Sequence, residues 1–262
     1  MEQKTEKRYQ RKEILDELDR MRLTLTKNRD DFLKEVDGIT ANCLRYKQEQ
    51  LREEYDILLK ELTDKVDGCF SGDDVEYWLI QEAPGVVAHT MERVKKSLAV
   101  IGEVYLAATK GAYDRYAEAQ LQQVFRVYEI LSVVFGETYT PGHKQIKIPC
   151  VTTLEGCSAA ELDLLLVPWV GGKQRGLFRK RREVLRYTCA GDLNAQKEFI
   201  NGKLEEKLNC LKESICEGAR KTGIRQLMQI EIVTDTIHNR YQGFLNEQYE
   251  KIRTSRRLNL ED

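Results

Sequence analysis

Between Met1 and Ala83 the chain contains no proline, and from Lys12 to Val66 its apolar residues return every three or four positions. They are Leu18, Met21, Leu25, Phe32, Val36, Ile39 and Cys43, then Leu51, Tyr55, Leu58, Leu62 and Val66, with charged residues filling most places between. Such spacing lays one apolar stripe along one face of a helix. At 1.5 Å per residue the segment is a rod of roughly 80 Å, far longer than an average globular helix. A rod of that length has to lie on partners of similar length.

Two further segments fit that requirement. Pro84–Phe135 carries Met91, Val94, Leu98, Ile101, Tyr105, Ala108, Ala112, Tyr116 and Ala119 at the same spacing and stops at Gly136. Pro84 reads as a first-turn proline, where no backbone donor is needed. Alanines at 107, 108, 112, 117 and 119 permit close approach of a neighbour. Asp192 reads as a cap for a third helix to Arg257, striped by Leu204, Leu208, Leu211, Ile215, Leu227, Ile230, Val233, Ile237, Tyr241, Phe244 and Ile252. Gly218 and Gly223 mark a bend between its halves. The first two rods are separated by Asp67–Asp74, which holds two glycines among turn formers, and by a short segment with Tyr77, Trp78, Leu79 and Ile80. The expected fold is all-α: an elongated antiparallel bundle of three long helices, two within residues 1–136 and the third within 192–262.

Residues 137–191 differ in character. Three of the four prolines (Pro141, Pro149, Pro168) and seven of the 17 glycines fall between Gly136 and Gly191. Lys144–Val151 alternates weakly, with Ile146 and Ile148 on one side, and suggests a short strand. This region is expected to be an irregular insertion at a tip of the bundle.

The tip carries the strongest local signal in the chain. Leu164, Leu165, Leu166, Val167, Trp169 and Val170 precede Gly171-Gly172. Lys173, Arg175, Arg179, Lys180, Arg181, Arg182 and Arg186 follow, with Leu177 and Phe178 interleaved and Glu183 as the one acid, a local charge of +6. Trp169, Leu177 and Phe178 suit burial among lipid headgroups while the cations meet an anionic membrane surface, at about 1 kcal/mol per cation. Two other readings stay open. The apolar run can pack against the bundle end with the arginines solvated, or the cations can meet nucleic-acid phosphates or an acidic protein. No recognition-helix or aromatic RNA-binding motif accompanies them.

The balance of 42 Lys+Arg against 43 Asp+Glu gives a net charge of −1 and excludes a generally basic nucleic-acid binder. At 41% hydrophobic the chain has too much apolar material for a wholly disordered one. No uncharged apolar stretch approaches the 18 or so residues of a membrane span, and the mostly charged or polar first residues are unlike a secretory signal. Seven cysteines, an odd number, form neither a disulfide framework nor a CxxC pair, so free thiols and a cytoplasmic location, peripheral at a membrane if the tip binds one, are expected. His143, Cys150, Cys157 and Cys189 are spaced too loosely for a zinc knuckle.

Enzyme signatures are missing. Around Gly172-Lys173 the first P-loop glycine position is Val167 and the last position is Gln174, so the phosphate cradle lacks a glycine and its magnesium hydroxyl. His89, His143 and His238 lie in separate elements, and neither HExxH nor GxSxG occurs. Glu53-Glu54 and Asp73-Asp74 read as solvated helix and turn residues. A non-enzymatic chain without cofactor or metal is expected.

The rods Lys12–Val66, Pro84–Phe135 and Asp192–Arg257 with the hydrophobic and basic stretch Leu164–Arg186 resemble, in architecture, the helical trunk of bacterial dynamin-like GTPases. Those trunks are long antiparallel helices with a lipid-touching paddle at the tip; here the GTPase domain and its P-loop are missing. BAR-type dimers and helical pore-forming toxins share parts of the outline. The resemblance implies a stalk or scaffold whose tip meets a membrane. A coiled-coil adaptor that binds itself or another helical protein along the rods is the competing reading, with nucleic-acid binding through 173–186 as a third.

Overall fold

The computed structural model describes residues 10–135 and 192–255, except the side chains of Glu76 and Ile80. About 96% of these residues are helical and none forms a β-strand, so the all-α expectation holds. The elements are α1 (Arg11–Asp67), α2 (Gly72–Tyr77), a π turn (Trp78–Glu82), α3 (Ala83–Phe135) and α4 (Leu193–Thr254). Helices α1, α3 and α4 hold 57, 53 and 62 residues. Among the described residues no helix is long and apolar enough to cross a membrane. The insertion at 137–191, including the suggested strand Lys144–Val151, lies outside the described residues.

The chain divides into two compact units. Unit 1 comprises Met1–Ile39, Ala107–Leu154 and Gln226–Asp262; unit 2 comprises Thr40–Leu106 and Glu155–Arg225.

In unit 1 the core is built from Leu18, Met21, Leu25, Phe32 and Val36 of α1, with Tyr113, Tyr116, Val127 and Leu131 of α3 and Ile237, Tyr241, Leu245 and Ile252 of α4. Phe32 stacks on Tyr116 at 4.8 Å and meets Tyr113 edge-on at 6.1 Å. The fully buried Gln120 turns its amide nitrogen to the Leu25 carbonyl at 3.4 Å, and Arg126 pairs with Glu17. On the α4 side Arg29 pairs with Asp235, Gln242 donates to the Arg22 carbonyl at 2.9 Å, and Arg11 donates to the Ser255 carbonyl at 3.1 Å. Partner numbers on α3 and on α4 both rise as those on α1 fall.

In unit 2 one apolar cluster joins Leu51, Tyr55, Leu58, Leu62 and Val66 of α1 to Val75, Trp78, Val87, Met91, Val94 and Leu98, and to Ile200, Leu204, Leu208, Leu211 and Ile215 of α4. Arg93 binds Glu54 through two nitrogens, and the Tyr55 hydroxyl points to the Met91 sulfur at 3.7 Å. The end of α1 leaves carbonyls without helical partners. Lys197 of α4 donates to one of them, the Asp67 carbonyl, at 2.7 Å, while Asn201 donates to the Asp67 carboxylate at 2.9 Å.

Pro84 stands in the first turn of α3, as its place in the sequence suggests. The Ala83 N–H bonds to the Trp78 carbonyl five residues back, and this wider turn carries α2 into α3 just where the proline supplies no donor and its ring would crowd a regular turn. Gly223 lies within α4, close against α1. A Cβ there would stand 3.3 Å from Leu44 Cδ1 and 3.4 Å from Thr40 Cγ2.

The buried positions share a period. Ile14, Leu25, Val36, Lys47 and Leu58 succeed one another at eleven-residue steps along α1; Val87, Leu98, Thr109, Gln120 and Leu131 do so along α3, and Leu204, Ile215, Gln226, Ile237 and Gln248 along α4. Eleven residues in three turns is 3.67 per turn, close to the natural pitch of an α-helix and on the side that favours a slight right-handed winding.

Candidate functional site

The sequence places function at Trp169, Lys173, Arg175, Leu177, Phe178, Arg179, Lys180, Arg181, Arg182 and Arg186, all of which lie outside the described residues. The loose metal set His143, Cys150, Cys157 and Cys189 lies there too. What the structure gives is the point where that segment enters α4. Asp192 caps the helix, its carboxylate accepting from the backbone N–H groups of Asn194 at 2.6 Å and Ala195 at 3.0 Å. A short aspartate before the first turn does this well, because it satisfies otherwise orphaned donors and complements the helix dipole.

Two places among the described residues concentrate polar chemistry. The first, in unit 2, is an open groove of about 860 Å³ lined by Ile57, Lys60, Glu61, Asp64, Lys65, Gly68, Cys69, Trp78 and Glu82. The turn beside it puts Phe70 in solvent, 92% exposed, and Ser71 caps α2 by accepting from the Asp74 N–H at 3.2 Å. The Cys69 thiol donates to the Lys65 carbonyl at 3.3 Å, and burial, helped by the Asp74 charge, pushes its pKa up. A thiol held protonated in this way is a poor nucleophile.

The second place is in unit 1. Arg29 of α1 spans two carboxylates: Nε donates to Asp235 of α4 at 2.7 Å and Nη1 to Asp30 at 2.7 Å. These bonds, Asp235 above all, raise the pKa of Arg29 further. His238 stands one turn beyond Asp235, its Nδ1 buried with no hydrogen-bond partner among the described residues. Burial and then the Arg29 charge lower its pKa, so the imidazole is held neutral. Burial likewise raises the hydroxyls of Tyr116 and Tyr241. The cluster is a polar joint between α1 and α4. Among the described residues no group of three or more His, Cys, Asp and Glu is placed to hold a metal ion. Cys43, Cys69, Cys210 and Cys216 form no disulfide with one another.

One feature of α3 escaped the sequence reading. Val100 and Val104 are 60% and 64% exposed, on the side of α3 away from its buried Val94, Leu98 and Tyr105. The signal was present in Ser97–Leu106, where Glu103 is the one charged residue in ten, too few for a helix with an ordinary solvated face.

Comparison with known proteins returns no matching family model, no matching curated protein and no matching solved structure.

Proposed function

We propose that this chain is a non-enzymatic helical scaffold, one elongated antiparallel bundle in which α1 opposes α3 and α4, with a hydrophobic and basic segment that meets an anionic membrane surface. The observation that carries the reading is the imbalance of charge. A chain of net charge −1 concentrates +6 between Lys173 and Arg186, beside Trp169, Leu177 and Phe178. The long helices support a stalk role, since their buried residues are given over to packing against one another in both units. The dynamin-like trunk outline agrees with such a stalk, and the protein is then peripheral at the membrane.

The test is co-sedimentation with anionic and neutral liposomes at low and high salt. Binding to anionic vesicles alone, lost in salt, is expected. Reversing Arg179, Lys180, Arg181 and Arg182 to glutamate should abolish it while the helical circular dichroism signal stays unchanged. Retention of vesicle binding by that variant overturns the membrane reading, as does failure of the unaltered protein to bind; retention on nucleic acid alone moves the segment to phosphate contact. A second reading, a protein–protein adaptor working along the rods, is favoured by the exposed Val100 and Val104 of α3.

A further inference from the structure

The solvent side of α3 in unit 2 is apolar where a free helix needs charge. From Lys96 to Leu106 its exposed positions are Lys96, Ala99, Val100, Glu103 and Val104. Two valines more than half exposed, one turn apart and flanked by an alanine, form a surface that water disfavours and a second helix covers well. The charges at its edges are of opposite sign and seven residues apart. Lys96 has only a loose partner on its own helix, Glu92 at 4.0 Å.

We propose that this face of α3 is covered by the same face of a second copy of the chain, the two helices running antiparallel about a two-fold axis beside Ala99 and Val100. The pattern is self-complementary in that orientation and in no parallel one. Residues whose numbers sum to about 199 stand across from each other. Lys96 of each copy therefore faces Glu103 of the other, twice, and the alanine and valine meet at the axis. A two-fold contact uses one patch on both partners, which a patch with a cation at one end and an anion at the other satisfies. The small Ala99 lets the backbones approach while the valines fill the space beside it. A contact of about 15 Å of helix is smaller than a standard interface, so a Kd of about 1–100 μM is expected. The proposal does not depend on the membrane reading, because none of its residues belongs to the basic segment.

Sedimentation velocity of the whole chain from about 1 to 200 μM tests it, with circular dichroism melts to verify folding. The unaltered protein should pass from monomer to dimer over this range, and V100E/V104E should remain monomeric with an unchanged melt. K96E and E103K should each weaken association about tenfold by bringing like charges together. The double variant K96E/E103K should restore it, and K96E mixed with E103K should associate more tightly than either alone. A chain monomeric at every concentration overturns the proposal. So does a dimer that survives V100E/V104E, or a double variant no tighter than the single ones.

Discussion

A Cβ on Gly223 would press on Leu44 and Thr40, whereas one on Gly38 or Gly202 would meet nothing within 4 Å. All three glycines lie in helices, where alanine restricts the unfolded chain and is intrinsically favoured. G38A and G202A should therefore each raise stability by about 0.5–1 kcal/mol in urea unfolding. G223V, which adds a branched side chain to a filled space, should lower it by about 1–3 kcal/mol. His238 makes a different kind of prediction. Its folded pKa lies below the ordinary 6.5, so the unfolded chain takes up its proton first as pH falls. The contribution of neutral His238 is fully present above pH 6.5 and is lost as pH drops from there toward the folded pKa. Urea titrations at pH 7.5 and 5 should show a smaller acid loss for H238Q than for the unaltered protein; an equal loss would remove His238 from the account.

At the scale of elements, the caps and stripes decide where helices begin and what they bury. Replacing Asp192 by alanine frees the two N–H groups it holds and should cost about 1 kcal/mol. Hydrogen exchange should then quicken at Asn194 and Ala195 while the rest of α4 stays protected. These elements were legible because their signals are local. Leu18, Met21 and Leu25, and again Leu58, Leu62 and Val66, are buried as their spacing required, and Asp192 caps as an aspartate before an apolar run should. What was not legible depends on partners. Thr40, Lys47, Thr109, Gln226 and Gln248 are buried polar residues that continue the stripes, and a reading that follows apolar letters alone passes over them. Val100 and Val104 carry core letters on an outer face, which only the positions of the other helices reveal. The Arg29–Asp235 joint pairs residues 206 apart in sequence, and nothing in the local pattern of either helix announces it. The segment from Trp169 to Arg186 stands out by its composition alone.

At the scale of the whole molecule, the three long helices share a burial period of eleven residues. Adding or removing two or five residues in any one helix would turn everything beyond the change by about 130–200° against its neighbours, whereas four or seven turn it by only about 33°. Adding eleven keeps the phase but slides that helix three turns past the others, mismatching pairs such as Arg29 with Asp235 and Arg93 with Glu54. A coordinated change of eleven in α1, α3 and α4 together preserves both faces and partners. The length of such a protein thus changes with least disturbance in steps of eleven residues, taken at three places in the sequence at once.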